Sequence, residues 1–406
     1  MKRKISLLLI LCAVMQMIGC TLPSTSPTIT SAPSSTPPTV STTAETDLPE
    51  VTETVPLNSP QAPLVSISLP VITEAATAEN GTVIFNYEFQ NISLITQDAD
   101  VANLIIVDFL NRVDSTRATA ERIYSQAKSA YVGQQEWTPY LCMLTYKPMR
   151  IDTGVLSLLG TQVSYYGSPH PETVYHSVNY DMVTGGVLSL GDILPDTTSI
   201  DTLLDLVLQM LDFQKETLYL YENYEQTVRS LFSGNSLHNS WYFSPTGLCI
   251  FFAPYEIAPY SSGIITAEIP YGELTGVIDD RYFPAEYETA CGTVFADNFL
   301  QTDLNSFNRF SELVLDTTGD KVLLYTDHMV RNVRIEIGVW SSTGSFYTPE
   351  HTVYSASALV AGDALMLEAS FAGSMPNLLL TYESDNNTVS CFISKDESGK
   401  IVLTEE

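Results

Sequence analysis

Positive charge is scarce in this 406-residue chain. Eighteen Lys and Arg stand against 47 Asp and Glu, a formal charge of −29, and no Lys or Arg occurs between Lys4 and Arg112. A surface of that sign repels nucleic-acid phosphates and anionic headgroups, so nucleic acid is excluded as a partner and a basic protein or cation is favoured. Catalytic and metal signatures are scarce too. The chain has no CxxC pair, no HxH or HExxH and no GxSxG, which leaves a thiolate zinc centre, the short histidine zinc motifs and the nucleophile elbow without support. The expectation is therefore no metal, no cofactor and no catalytic residue. The N-terminal apolar run, Ile5 to Ile18, is fourteen residues, well short of the roughly twenty that span a bilayer.

That short run has a different use. Lys2, Arg3 and Lys4 precede it and Gly19-Cys20 follows it, the order of a secretory signal with a lipoprotein cysteine. Residues 1–19 read as the signal and Cys20 as the lipidated residue, which puts the protein outside the cytoplasm, anchored to the membrane. From Thr21 to Thr43, 19 of 23 residues are Ser, Thr or Pro. Such a segment has too little apolar surface to offset its ordering entropy, so residues 20–61 read as an extended spacer. Without residues 1–19 the chain keeps 15 basic against 47 acidic residues, a charge of −32.

Four cysteines remain beyond Cys20: Cys142, Cys249, Cys291 and Cys391. In an oxidising compartment they read either as two disulfides, Cys142 with Cys249 and Cys291 with Cys391, or as four free thiols.

Periodicity divides the remainder in two. Residues 62–282 alternate strand and helix patterns. Strands are expected over 64–72, 82–95, 140–146, 155–166, 172–182, 241–252 and 263–269. A long helix from Asp98 should bury Ala102, Ile106, Phe109, Val113, Ala120, Tyr124, Ala127 and Tyr131, with Arg112, Arg117, Arg122 and Lys128 on a solvated face. A second helix should start near Thr198, capped through Asp201, with Leu203, Leu204, Val207, Leu208 and Leu211 inward. A shorter helix covers 224–232. This is an α+β pattern, a mainly antiparallel sheet with packed helices. Residues 293–406 carry seven short alternating runs separated by turns, the signature of a small all-β accessory domain, sandwich or barrel-like.

Two stretches carry recognisable motifs. The first runs Tyr165-Tyr166-Gly167-Ser168-Pro169-His170, continues through Asn179 to Gly185, and ends in Leu188-Ser189-Leu190-Gly191-Asp192-Ile193-Leu194. The second is Phe252-Ala253-Pro254-Tyr255-Glu256-Ile257-Ala258-Pro259-Tyr260-Ser261-Ser262-Gly263, ending in Ile269-Pro270-Tyr271-Gly272-Glu273-Leu274. Together they resemble the extracytoplasmic domain family of the lysozyme-sensing anti-sigma factor RsiV and the peptidoglycan deacetylase PdaC, over about residues 62–280. The family's Gly-Gly-Ala-His becomes Gly167-Ser168-Pro169-His170 here, and Pro169 drives Ser168 toward extended conformations. The resemblance implies a non-catalytic domain that binds an envelope ligand, a protein such as lysozyme or peptidoglycan. β-patterned sequence stands where PdaC-like proteins carry a deacetylase module.

The residues also have readings of their own. Asp181-x-x-Thr184-Gly185 is a tight-turn pattern, favoured over a ligand site. Tyr255, Glu256 and Tyr260 lie between or beside Pro254 and Pro259, in a rigid loop whose rings and carboxylate suit a sugar or a cationic side chain. His170, His176 and Asp181 lack a metal-binding spacing. The candidate ligand-binding residues are thus Tyr165, Tyr166, His170, Asp181, Tyr255, Glu256 and Tyr260. The alternative is a wall-glycan hydrolase or deacetylase-associated enzyme working through Glu256, Asp181 or His170, since paired carboxylates can meet from distant segments.

Overall fold

The computed structural model describes residues 65–405 except 197, 234–236, 238, 285–289, 301–306, 308, 345 and 372–375. The signal, Cys20 and the spacer lie outside these residues. Four strands, β1 (Ser66–Ser68), β2 (Val71–Thr77), β3 (Val83–Gln90) and β4 (Ser93–Ile95), precede helix α1 (Ala99–Ala130). Strands β5 (Tyr140–Ile151), β6 (Val155–Tyr165) and β7 (Glu172–Asp181) follow, then α2 (Ser199–Leu218) and α3 (Tyr224–Ser233). A short group, β8 (Trp241–Phe243), β9 (Gly247–Phe252) and β10 (Ile265–Pro270), leads into the β-rich part. That part comprises β11 (Val294–Asn298), β12 (Arg309–Val314), β13 (Asp320–Thr326), β14 (Val330–Trp340), β15 (Tyr347–Leu359), β16 (Asp363–Ala369), β17 (Leu378–Ser384), β18 (Asn387–Lys395) and β19 (Ile401–Glu405).

The first sheet has the order β2-β3-β5-β6-β7. Only β3 and β5 run parallel, because α1 is the crossover between them and parallel neighbours need such a connection. Asp98 caps α1 by accepting from the backbone N–H groups of Asp100 and Val101. The helix buries Ile105, Phe109, Val113, Ala120, Ile123 and Ala127 against Phe85, Tyr87, Cys142, Leu144 and Tyr146. Its buried stripe is turned slightly from the expected one: Ile105 and Ile123 are fully buried, whereas Ile106 and Tyr124 are only partly so. The expected solvated cation face holds for Arg122 and Lys128, which are exposed, and needs a correction for the other two. Arg117 lies over the rings of Tyr87 and Phe89, at 5.6 and 5.9 Å, and Arg112 pairs with Asp108 at 2.6 Å.

A three-stranded sheet, β10-β9-β8, packs behind the first. In β9, Leu248, Ile250 and Phe252 face α2 and α3, while Cys249 and Phe251 join Tyr242 against Met149, Leu159 and Tyr175 of the five-stranded sheet. Both faces are covered, which explains the unbroken apolar run Leu248 to Phe252. Arg150 locks the layers together. Its Nε pairs with Asp152 at 2.6 Å, its Nη1 donates to the Tyr271 hydroxyl and the Tyr282 carbonyl, each at 2.6 Å, and its guanidinium lies over Phe243 and Tyr271. The α2 cap differs from expectation: Asp196, not Asp201, takes the backbone N–H groups of Thr198 and Ser199, at 2.8 and 3.0 Å.

The β-rich part is a sandwich, and among the described residues neither of its sheets closes into a barrel. A four-stranded sheet, β11-β13-β16-β12, faces a seven-stranded sheet, β19-β18-β17-β14-β15-β1-β4. Val322, Leu324, Leu365 and Leu367 from one meet Ile335, Val353 and Leu380 from the other. The expected boundary between 282 and 293 does not separate the sheets. Strands β1 and β4 come from the N-terminal segment, with Ile67 opposite both Ser355 and Leu94, and the described residues form one compact unit.

Neither proposed disulfide is present, and all four cysteines are free. The reason is placement: Cys142 is in the five-stranded sheet facing α1, whereas Cys249 is in the three-stranded sheet. Cys391 is buried opposite Leu380 and Glu405, while Cys291 is exposed before β11.

Candidate functional site

Two loops of the α2–β10 region meet at the surface. One is the α2–α3 connection, Tyr219 to Asn223; the other is the turn Ala253 to Gly263 between β9 and β10. Tyr221 N donates to the Ile257 carbonyl at 2.9 Å, and Ser262 Oγ donates to the Leu218 carbonyl at 3.2 Å. Each loop holds a tyrosine in the left-handed region: Tyr219 at φ 52° and Tyr255 at φ 73°. Such a backbone costs a bulky L-residue about 1–2 kcal/mol, and both rings are nonetheless exposed, at 75% and 68%. Tyr255 pairs with the half-exposed Tyr260, ring centroids 5.5 Å apart. Tyr175 on β7 is close enough that a charge on Tyr260 adds to burial in raising its pKa.

Tyr219 also lines a cleft of about 630 Å³, together with Glu216, Glu222 and Glu225. Lys215, in the same lining, is neutralised by Asp212 at 2.8 Å, and that pairing raises the Lys215 pKa and lowers that of Asp212. Rings with adjoining carboxylates attract a cationic side chain through both Coulomb and cation–π terms.

The other candidates rest on separate partners. Tyr165 is half-buried edge-on to Tyr140, at 5.9 Å, Tyr166 is 37% exposed, and His170 is exposed. The loop between them folds back on itself, with Ser168 Oγ donating to the His170 carbonyl at 2.6 Å. Gly167, at φ 86°, sits so close to Tyr140 that a Cβ there would fall 2.6 Å from the hydroxyl. Asp181 is the turn residue its pattern indicates: it accepts from Val183 N and Thr184 N, at 2.8 and 3.1 Å, and faces Arg281 at 3.4 Å. Glu256 accepts from Ala253 N at 2.6 Å. His176 is held 3.0 Å from the Tyr146 hydroxyl, and no cluster of three or more metal-ligating side chains occurs among the described residues. A serine–lysine spacing does exist, Ser125 and Lys128, but on the exposed side of α1, where Ser125 Oγ donates to the Glu121 carbonyl.

Sequence reading missed the α2–α3 loop. The available signal was Tyr219-Leu220-Tyr221-Glu222-Asn223-Tyr224, an aromatic-rich link between two amphipathic helices.

Residues 192–272 match a family model described as a protein of unknown function, DUF3298. That segment contains α2, α3 and both loops, all of the second motif through Gly272, and only the end of the first, so it agrees with the motif resemblance at a coarse level. A DUF3298 family protein from Pseudomonas aeruginosa PAO1 is 18% identical over 54% of this chain and 97% of its own, with a TM-score of 0.35. A member of the same family from Bacteroides fragilis NCTC 9343 is 15% identical over 53% and 94%, with a TM-score of 0.37. No curated protein matches the chain. Among the described residues no helix is long and apolar enough to cross a membrane.

Proposed function

We propose that the chain is an extracytoplasmic lipoprotein, anchored through Cys20, whose folded part binds an envelope ligand at the two-tyrosine loop surface. The observation that carries this reading is the pair Tyr219 and Tyr255, held exposed in costly backbone on loops bonded to each other; strain of this kind concentrates at functional sites. The acidic rim favours a basic protein, lysozyme being the type, over a neutral wall glycan. The role is binding without catalysis. Asp181 and Glu256 are each engaged with their own turn's N–H groups, which supports that view over a hydrolase.

The test is retention of the chain from residue 21 onward on immobilised lysozyme and on purified peptidoglycan, with Tyr219→Ala and Tyr255→Ala alongside. Binding to lysozyme that weakens with salt and with either substitution is expected. Failure to bind either matrix, or binding that both substitutions leave intact, refutes the assignment. Release of soluble fragments or acetate from peptidoglycan would instead favour the enzyme.

A further inference from the structure

The sandwich has a pocket of its own. On β13, Val322 and Leu324 point into the sandwich core, so the alternating Leu323 and Tyr325 face outward, where they help line a pocket of about 450 Å³. Leu300, Leu323 and Phe307 give it an apolar floor, and Asp297 and Lys400 stand in its wall. That volume falls within the range of small-molecule sites.

The Asp297 carboxylate is held in place by Tyr325, the backbone that carries Lys400 is fixed, and among the described residues neither charge is paired. The Tyr325 ring lies between Phe295 and Phe307, at 5.5 and 5.9 Å, and its hydroxyl donates to Asp297 Oδ2 at 2.8 Å, leaving Oδ1 available. Lys400 sits on the β18–β19 turn. That turn is fixed by Lys400 N donating to Asp396 Oδ1 and Ile401 N donating to Asn298 Oδ1, both at 3.0 Å. Among the described residues neither Asp297 nor Lys400 forms an ion pair, in a chain where most other lysines do.

Among the described lining residues, one carboxylate, one ammonium and an apolar floor are the complement of a zwitterion with an apolar side chain. We propose that this pocket binds an apolar α-amino acid or a short peptide of such residues. The ligand ammonium meets Asp297, its carboxylate meets Lys400, and its side chain covers Leu300, Leu323 and Phe307. A lone anion or lone cation would leave one of the two charges unanswered.

Calorimetric titration of the chain from residue 21 with L-leucine, leucyl-leucine, leucinamide and isocaproate tests this. Leucinamide lacks the carboxylate and isocaproate lacks the ammonium. Saturable binding of leucine or leucyl-leucine is expected, weakened about tenfold or more in both analogues; whichever of the two binds tighter identifies the free amino acid or the peptide as the ligand. Lys400→Gln should close the gap between leucine and leucinamide, and Asp297→Asn the gap between leucine and isocaproate. No saturable heat with either zwitterion, analogues that bind equally well, or gaps untouched by the substitutions would overturn the proposal. The analogue series needs no variant, so a misfolded substitution does not leave the question open.

Discussion

Acidification should loosen the grip of α1 on its sheet, and His176 sets the pH at which it does so. The imidazole faces α1 from β7, in the space left by Gly160 on β6, where a Cβ would lie 2.5 Å from Nε2. Tyr146 stands edge-on to it, at 5.4 Å, and its hydroxyl, pushed up to about 12 chiefly by burial, stays protonated at 3.0 Å from Nε2. Across the interface Arg112 adds positive charge, held by Asp108, which also accepts from Tyr180. Burial first and Arg112 second lower the His176 pKa from 6.5 to about 4. Because the folded-state value lies below the unfolded one, the neutral ring's stabilisation is complete above about pH 6.5 and disappears as pH falls toward 4. That difference corresponds to about 3 kcal/mol in all, of which about 2 kcal/mol is lost between pH 7.5 and pH 5. Urea unfolding at pH 7.5, 6 and 5, for wild type and for His176→Gln, isolates it from the carboxylates. Glutamine keeps a hydrogen-bonding partner for Tyr146 and cannot take a charge, so its stability should fall about 2 kcal/mol less over that interval. Parallel pH dependences in the two proteins would refute the argument.

Three further outcomes follow from the packing. Arg150→Met leaves Asp152 as an uncompensated buried charge and should cost about 3–5 kcal/mol, read from the urea midpoint. Burial raises the Cys142 and Cys249 thiols to about 11 and 12, and raises that of Cys391, so one of the four downstream thiols, the exposed Cys291, should react promptly with a disulfide reagent at pH 8. The other three should react only on unfolding. At position 255 the usual ranking of small residues should invert: Tyr255→Gly should be more stable than Tyr255→Ala by about 1 kcal/mol, because glycine accepts φ 73° without a Cβ penalty. Thermal melts of the two variants decide it.

Local pattern was legible where burial is one-sided or a turn dictates residue type. The α2 stripe Leu203, Val207, Leu208 and Leu211 is buried as its spacing indicates, and Gly185 takes φ 73° behind Asp181, as the turn pattern requires. Strand β15 escaped notice because it lacks alternation. It runs beside β14 and β1 and also packs on β5, so Val353 to Leu359 is buried on both faces and Ser355, Ala356, Ser357 and Ala358 are small enough to permit the approach. Strands β1 and β4 are legible only as parts of the expected strands 64–72 and 82–95, which the structure breaks into β1 with β2 and β3 with β4; β15, which pairs with β1, lies far along the chain, and no local signal names it. The tyrosine surface was half legible: the two prolines flagged Tyr255 and Tyr260, whereas Tyr219 depends on a left-handed helix end that carries no glycine to announce it.

The placement of β1 has a mechanical consequence. Any tension entering the folded part from residues before Val65 is borne first by Ser66–Ser68, clasped between β15 and β4, with Val65 N held by Ser357 Oγ and the Ser357 N–H by the Val65 carbonyl. Load applied at the N-terminus therefore passes first into the seven-stranded sheet, through β1 to β15 and β4.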